Sequence, residues 1–467
     1  MSRVTAPIPG GDGVVDDLRR HFGGDVILPA DARYDEQRKV WNGAIDRRPG
    51  LIARCAGVSD VRTAVRFARE HELLVAVRGG GHSFPGLSVC DGGMVIDLGP
   101  MKGIRVDPEA RTVRAQAGVL LGELDRETQA FGMAVPAGIV SHTGVAGLTL
   151  GGGIGWIMRK HGLTIDQLLS VDVVTADGDL VTASDDRNAD LFWGVRGGGG
   201  NFGIVTEFEF RLNPLGPQVV AGPVFWPMSQ APDVLRFYRE WIADCPDDLM
   251  TIVVQRRAPA LPVVPPELVG ELVIAVAVCF AGPVEEGVRV VRPLKEFGSP
   301  VLDLCRPKPY LEHQQMFDPS FRHGWHYYVR SCDVAELGDE VVDVVVEHGM
   351  RLSSPLSTLA LWQMGGAVAR VGEDETVFNG RTAGFTFNIN GNSVTGDGAD
   401  AERQWARDYW SALAPYHTGV YVNFLMEEGE ARVRQAYGPG KLERLKALKR
   451  AYDPTNFFRL NQNVKPD

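Results

Sequence analysis

One histidine stands in the turn Val77-Arg78-Gly79-Gly80-Gly81-His82-Ser83-Phe84-Pro85-Gly86, directly after a short apolar run. Taken alone, His82 reads as a turn residue bonded to a neighbouring carbonyl. The glycines around it let the backbone approach something large and flat. Nearly the same grammar returns at Gly151-Gly152-Gly153-Ile154-Gly155-Trp156 and at Arg196-Gly197-Gly198-Gly199-Gly200-Asn201-Phe202-Gly203. Three widely separated turns stripped of side chains fit one extended cofactor lying across several loops.

The elements that must position these turns follow from periodicity. Val61, Ala64, Val65 and Ala68 recur at helical spacing, and Leu74-Val75-Ala76-Val77 reads as a buried strand ending at the histidine turn. Residues 94–98 form another strand, 104–106 and 112–115 a hairpin, and 120–131 a helix. A second hairpin joins 171–175 to 180–183, a helix runs through Leu191-Phe192-Trp193, and 204–212 alternates as a strand. Residues 198–203 satisfy G-x-G-x-x-G formally, but that dinucleotide fingerprint needs a strand before it and a helix after it. Here the order is reversed, so the Rossmann reading fails.

Composition shifts at Asn213-Pro214-Leu215-Gly216-Pro217. Beyond it, strands at 272–280 and 358–364 alternate with helices at 234–243 and 338–350, which predicts an antiparallel sheet backed by helices as a separate lobe. From residue 401 the pattern gives a helix, a strand at 419–424, and two more helices. The expected fold class is α+β in two lobes, the second beginning near residue 215.

The chain has 467 residues, 44% of them hydrophobic and 23% charged, so it is long enough for two or three lobes with a sizeable core. A net charge of −11 argues against a nucleic-acid partner, and the basic stretch 441–450 reads as a solvated helix face. No window approaches the ~20 apolar residues of a membrane span, and the N-terminus shows no basic region followed by an apolar core. A cytoplasmic protein is expected, with no membrane partner. Six cysteines without C-x-x-C spacing read as reduced thiols. Cys305, His313, His323, His326 and Cys332 are too loosely spaced for zinc, and no metal site is expected.

Five segments together carry a resemblance: Arg78-Gly79-Gly80-Gly81-His82-Ser83, Pro136-Ala137-Gly138, Gly147-Leu148-Thr149-Leu150-Gly151-Gly152-Gly153-Ile154-Gly155-Trp156, residues 196–203 and residues 453–462. In order and spacing the chain resembles the berberine bridge enzyme-like flavin oxidases of the vanillyl-alcohol oxidase and p-cresol methylhydroxylase superfamily. The likeness spans nearly the whole chain. It implies an FAD held covalently, through the flavin's 8α carbon, by His82. Such a link withdraws electrons and pins the ring, making a stronger hydride acceptor. The resemblance also implies that Arg78, Gly79, Gly80, Gly81, Ser83 and Gly86 form the turn that offers N–H groups to the pyrophosphate.

Further cofactor contacts are implied at Pro136, Gly138, Ser141, His142 and Gly144. The run 151–155 reads either as a tight turn in a packed loop or, with Gly147, Gly151, Gly152, Gly155 and Trp156 along the ribityl and pyrophosphate, as a stretch where a Cβ would collide with the cofactor. Gly203 and Val205 either meet the adenine or form a plain turn before a core strand. Family members with a second flavin link resemble P-A-G-x-C where this chain has Pro136-Ala137-Gly138-Ile139-Val140. Valine cannot attack the flavin, so a single link is expected, as in the branch resembling nicotine-degrading bacterial oxidases. By the same resemblance Tyr421-Val422-Asn423-Phe424 is a strand reaching the ring, and Asn461 and Gln462 fold back onto the flavin domain. It further implies that pieces 1–214 and 415–467 flank an inserted lobe, 215–414.

Catalytic candidates are Tyr421, Trp362, Gln363 and Thr143. Thr143 either gates oxygen or, with Ser141 and His142, hydrogen-bonds the flavin edge. Strand Leu359-Ala360-Leu361-Trp362-Gln363-Met364 lacks the glutamate that several relatives carry, leaving Tyr421, Tyr327, Tyr328 or His326 as fallback bases. The implied reaction passes hydride from a small organic alcohol, amine or secondary metabolite to flavin N5 and then electrons to O2, giving H2O2. Trp362, Phe385, Phe387 and Tyr421 suggest an alicyclic, aromatic or amine-bearing substrate. The competing readings are a carbohydrate oxidase acting at a sugar C1 hydroxyl and a flavin-binding protein without turnover.

Overall fold

The computed structural model describes residues 12–426 and 428–466; the first eleven positions of the expected N-terminal piece lie outside them. A four-stranded sheet comes first, in the order Asp25–Ile27, Leu51–Arg54, Met94–Asp97, Val75–Arg78. Its last three strands run parallel. Helix Val58–Glu70 covers it with Val61, Ala64, Val65 and Ala68, the helical stripe read from sequence. Strand Val75–Arg78 is pinned at the sheet edge, so the chain leaves it into the glycine turn at a fixed point. There Arg78 Nη2 meets Asp97 Oδ2 at 2.8 Å, both side chains buried.

A five-stranded antiparallel sheet follows, in the order Ile104–Asp107, Thr112–Gln116, Ile204–Arg211, Leu168–Val174, Leu180–Ser184. Both expected hairpins are present at its edges. Helix Ala189–Val195 and the glycine turn 197–203 lead straight into strand Ile204–Arg211.

The third layer is a nine-stranded antiparallel sheet built from Gln218–Pro227 onward. At its centre Leu249–Arg257, Thr358–Gln363 and Phe385–Ser393 lie side by side, with Ile252 opposite Trp362 and Leu361 opposite Phe387. One face packs on helices Ala231–Ala243, Asp339–Met350 and Ala399–Ala412, burying Leu359, Leu361, Phe385 and Phe387. The period of two sends Val254, Ala360 and Trp362 to the opposite face, toward the first lobe.

Two sequence expectations need correction. The strand expected at 419–424 is only His417–Gly419, and Val422–Phe424 is a 3-10 turn. A bulge opposite Asp333 and Val334 ends the pairing, and the turn lets Tyr421 and Asn423 pack against the glycine loop of the other lobe. Nor is 441–450 simply a solvated face. Lys441 Nζ donates to Phe378 O at 2.7 Å, and Lys449 is fully buried.

The C-terminal segment is tied down by that lysine. Lys449 Nζ donates to Asp453 Oδ2 at 2.7 Å and to the carbonyls of Asn201 and Phe458 at 2.8 Å each. The Asp453 carboxylate also accepts the N–H groups of Phe457 and Phe458. The last helix, Pro439–Tyr452, and the tail are thereby clamped onto the glycine turn 197–203.

Candidate functional site

Between the large sheet and the two smaller ones lies a mainly apolar cavity of about 380 Å³. The three glycine turns read from sequence all reach it. Gly79, Gly80, Gly81, His82 and Ser83 supply one wall, Gly138, Thr143, Gly144, Gly147 and Gly151 another, and Gly203, Val205, Asn461 and Gln462 close it. Val254, Arg256, Thr358, Ala360, Trp362 and Asn388 form the sheet-side wall, with Tyr421 and Asn423 beside it. No described lining residue is an aspartate or glutamate.

His82 is held on several sides. Its Nε2 lies 2.7 Å from His142 Nδ1, and its Nδ1 lies 3.4 Å from Thr143 Oγ1. Trp41 stacks on it, ring centroids 4.5 Å apart, and Tyr327 stacks on the other side of Trp41 at 3.8 Å. Burial first, then the neighbouring His142 and His323, hold the His82 imidazole well below the usual histidine range. It is therefore neutral and keeps one nitrogen lone pair. Ser141 and His142 stand behind His82: the Ser141 N–H donates to Asp318 Oδ1 at 2.8 Å, and its hydroxyl also donates to that carboxylate.

Tyr421 is buried with its hydroxyl oxygen accepting from Gly153 N–H at 2.9 Å and from Asn423 Nδ2 at 2.8 Å. Burial pushes its phenol up to about 12, so it holds its proton at neutral pH.

Several expected residues sit elsewhere. Gln363 follows the strand's alternation to the helix side, where its Oε1 accepts from Thr251 Oγ1 at 2.8 Å. Trp156 is core, ring to ring with His313 at 4.3 Å. Pro136 offers its carbonyl to Thr164 Oγ1, Gly86 packs on Ile45, and the Arg78 guanidinium is committed to Asp97. Tyr327 donates to Arg322 O, Tyr328 accepts from Arg407, and neither they nor His326 line the cavity. Phe385 and Phe387 face the helices, and the aromatic lining comes instead from Phe84, Phe317, Phe321 and Phe424.

The bare run 151–155 has two readings, a tight turn in a packed loop and a run along the cofactor. The structure shows the packing of the first reading. A Cβ at Gly155 would lie 1.6 Å from Ala137 O, one at Gly151 2.2 Å from Asn423 Oδ1, and one at Gly152 2.7 Å from Phe378. Protein packing by itself forbids side chains at these three positions. Likewise Gly80 and Gly144 exclude each other's Cβ, each 2.4 Å from the other's backbone nitrogen.

Sequence reasoning missed Trp41, Asn42, Arg256, Asp318 and the role of His323. Asn42 Nδ2 donates to the carbonyls of Phe84 and Tyr327 and its Oδ1 accepts from Tyr327 N–H, so it joins the histidine turn to the large sheet. The only signal was a Trp-Asn-Gly run at 41–43. The zinc grouping considered from sequence does not assemble: Cys305 and Cys332 are core residues and His313 packs on Trp156. His323 instead joins His82 and His142, with a nitrogen of each within 4.8 Å of the others.

Comparison with known proteins gives these walls a class. Residues 49–184 match the FAD binding domain family and residues 420–465 the family described as berberine and berberine like. An FAD-linked oxidoreductase of Dictyostelium discoideum is 32% identical over 97% of both chains. (R)-6-hydroxynicotine oxidase of Paenarthrobacter nicotinovorans is 31% identical, covering 95% of this chain and 97% of its own. The crystal structure of 6-hydroxy-D-nicotine oxidase from Arthrobacter nicotinovorans superposes with a TM-score of 0.85 at 29% identity, covering 96% and 98% of the two chains. The architecture is thus that of the vanillyl-alcohol oxidase-type flavoproteins. The chain belongs to the berberine bridge enzyme-like family of FAD-linked oxidoreductases.

The walls fit FAD. Among the described residues, the backbone N–H groups of Gly80, Gly81, His82 and Ser83 meet no acceptor, a ready anion cradle. A Cβ at Gly147 or Gly200 would meet no protein atom within 4 Å, leaving space for a ligand, and Asn461 Oδ1 has no donor.

Proposed function

We propose that this protein is an oxidase that carries FAD covalently on His82 through a single link and oxidises a small ring-bearing organic molecule. The observation that carries the reading is His82 itself: a neutral imidazole, fixed by His142 and the Trp41 stack, on the wall of an apolar cavity. Bound FAD supplies hydride acceptance at N5 from a substrate C–H and transfer of the two electrons to O2, giving H2O2.

The chain's own groups do the rest. His142 orients the His82 ring by its hydrogen bond, and Val140 on the cavity wall offers no second nucleophile. Thr143 keeps a small side chain beside the anchor, leaving room for O2. Tyr421, protonated, presents a hydroxyl rather than a base. With no carboxylate among the described lining residues, the reaction that fits best needs no strong base at the reacting carbon, as in oxidation of an amine. Phe317, Phe321, Phe424 and Trp362 favour a flat ring over a bare sugar. A relative named for oxidation of 6-hydroxynicotine supports the same preference.

The test is acid denaturation of the purified protein followed by pelleting, with His82→Ala as control. Yellow absorbance that pellets with wild type and is lost from the variant's pellet is expected. Flavin released into the supernatant by the wild type would refute the covalent link.

A further inference from the structure

Five arginines are buried among the described residues: Arg38, Arg78, Arg159, Arg256 and Arg381. Four of them meet an aspartate. Arg38 pairs with Asp35 and Asp46, Arg78 with Asp97, Arg159 with Asp247 and Arg381 with Asp166. Arg256 has no carboxylate partner among the described residues. Its guanidinium donates from Nε to the carbonyl of Arg257 at 3.1 Å and from Nη1 to Ser320 Oγ at 3.0 Å. A buried, fully charged group without a counter-ion is costly, and proteins ordinarily pair it.

Its position says where the missing partner belongs. Arg256 is on strand Leu249–Arg257, two residues beyond Val254, and both line the cavity. It is the only lysine or arginine among the described lining residues, which include no acid. Near it on the same wall stand Thr358 and Asn388, the latter with Nδ2 unpartnered. The acceptors there are neutral oxygens, those of Ser320, Thr358 and Asn388, and burial alone pushes the guanidinium down to about 10, since no carboxylate holds it up. The anion cradle for the cofactor's phosphates is on a different wall, at 80–83.

We infer that Arg256 is a specificity-determining residue that binds a carboxylate, or an equivalent single negative charge, on the substrate. This rests on the reading of the cavity as an oxidase site and names the class of molecule it takes: a ring-bearing organic acid with its charge at the sheet wall. A guanidinium suits that task because its planar fork grips both carboxylate oxygens.

The test compares benzoate with its neutral isostere benzamide by calorimetric titration of the full-length, flavin-containing protein. Wild type is expected to bind benzoate at least about tenfold more tightly than benzamide, the scale of one charge-assisted contact. Arg256→Met should bring the two affinities together by weakening benzoate alone, and Arg256→Lys should keep part of the preference. Equal affinities in wild type, or no benzoate binding at millimolar concentration, overturn the inference. So does an Arg256→Met protein with the wild-type preference, or one that loses only its flavin. If Arg256→Met does not fold, the wild-type ratio and the lysine variant still decide. Flavin content is read separately by acid pelleting, so a protein without bound flavin refutes the oxidase reading while the benzoate preference still tests the arginine.

Discussion

Replacing Asp453 by asparagine removes the counter-ion of a lysine with no route to water. Lys449 and Asp453 are both fully buried, and the ammonium's other two contacts are backbone carbonyls. Burial already draws the Lys449 pKa down while Asp453 pulls it up. Breaking a buried pair by removing one partner costs about 3–5 kcal/mol. Unfolding entropy of about 2.1 cal/mol/K per residue over this length makes 1 kcal/mol worth about 1 °C. Asp453→Asn should therefore lower the melting temperature by about 3–5 °C if the molecule melts as one unit, and by more if the flavin lobe melts alone. Differential scanning calorimetry reads the shift, and the area under each transition shows which lobe moved. Because the same lysine holds the carbonyl of Asn201 in the glycine turn at the cavity, flavin retention should fall in parallel. A melting point within about 1 °C of wild type would show that water or a rearranged backbone already satisfies the ammonium, and the clamp argument would fail.

Asp125 tests burial differently. It is wholly buried with one hydrogen bond, from Gln314 Nε2, and burial raises its carboxyl to about 7. The folded state thus keeps a proton that the unfolded chain releases near the ordinary carboxylate value. The group's contribution to stability falls from about pH 4 to about pH 7 and is flat above. Asp125→Asn should flatten that slope and raise the urea midpoint at pH 8 relative to wild type, with little gain near pH 4. An unchanged slope would mean the carboxyl is solvated or paired. The glycines separate packing from cofactor space. Gly155→Ala should yield insoluble or strongly destabilised protein, whereas Gly147→Ala should melt like wild type without flavin yet hold less FAD, measured by absorbance per polypeptide. Equal FAD content would free that position from the cofactor.

Much of the scaffold was legible because it rests on local rules. The stripe Val61, Ala64, Val65, Ala68 and both short hairpins sit where period and turn chemistry put them. The alternation of 358–363 was legible too, yet it did not say which face was the cavity. That needs the helices on the other side, which is why Gln363 was misplaced. Arg256 was invisible for a related reason. A strand arginine looks like any surface charge until the absence of an acid around it can be seen. The bare run at 151–155 left two readings open, since glycine demanded by a neighbouring carbonyl and glycine demanded by a ligand are spelled alike.

The stack of Tyr327 on Trp41 on His82 bears on how the protein matures. Trp41 comes early in the chain, but Tyr327 belongs to the large sheet, and Asn42 stitches the two through their backbones. During synthesis the histidine turn is complete long before the strand that carries Tyr327 has emerged. Trp41 and His142 can hold the His82 ring from within the first lobe, but the outer layer of the stack waits until the second lobe has docked. On the proposed link to His82, a truncated chain would present its anchor without the Tyr327 layer of the stack.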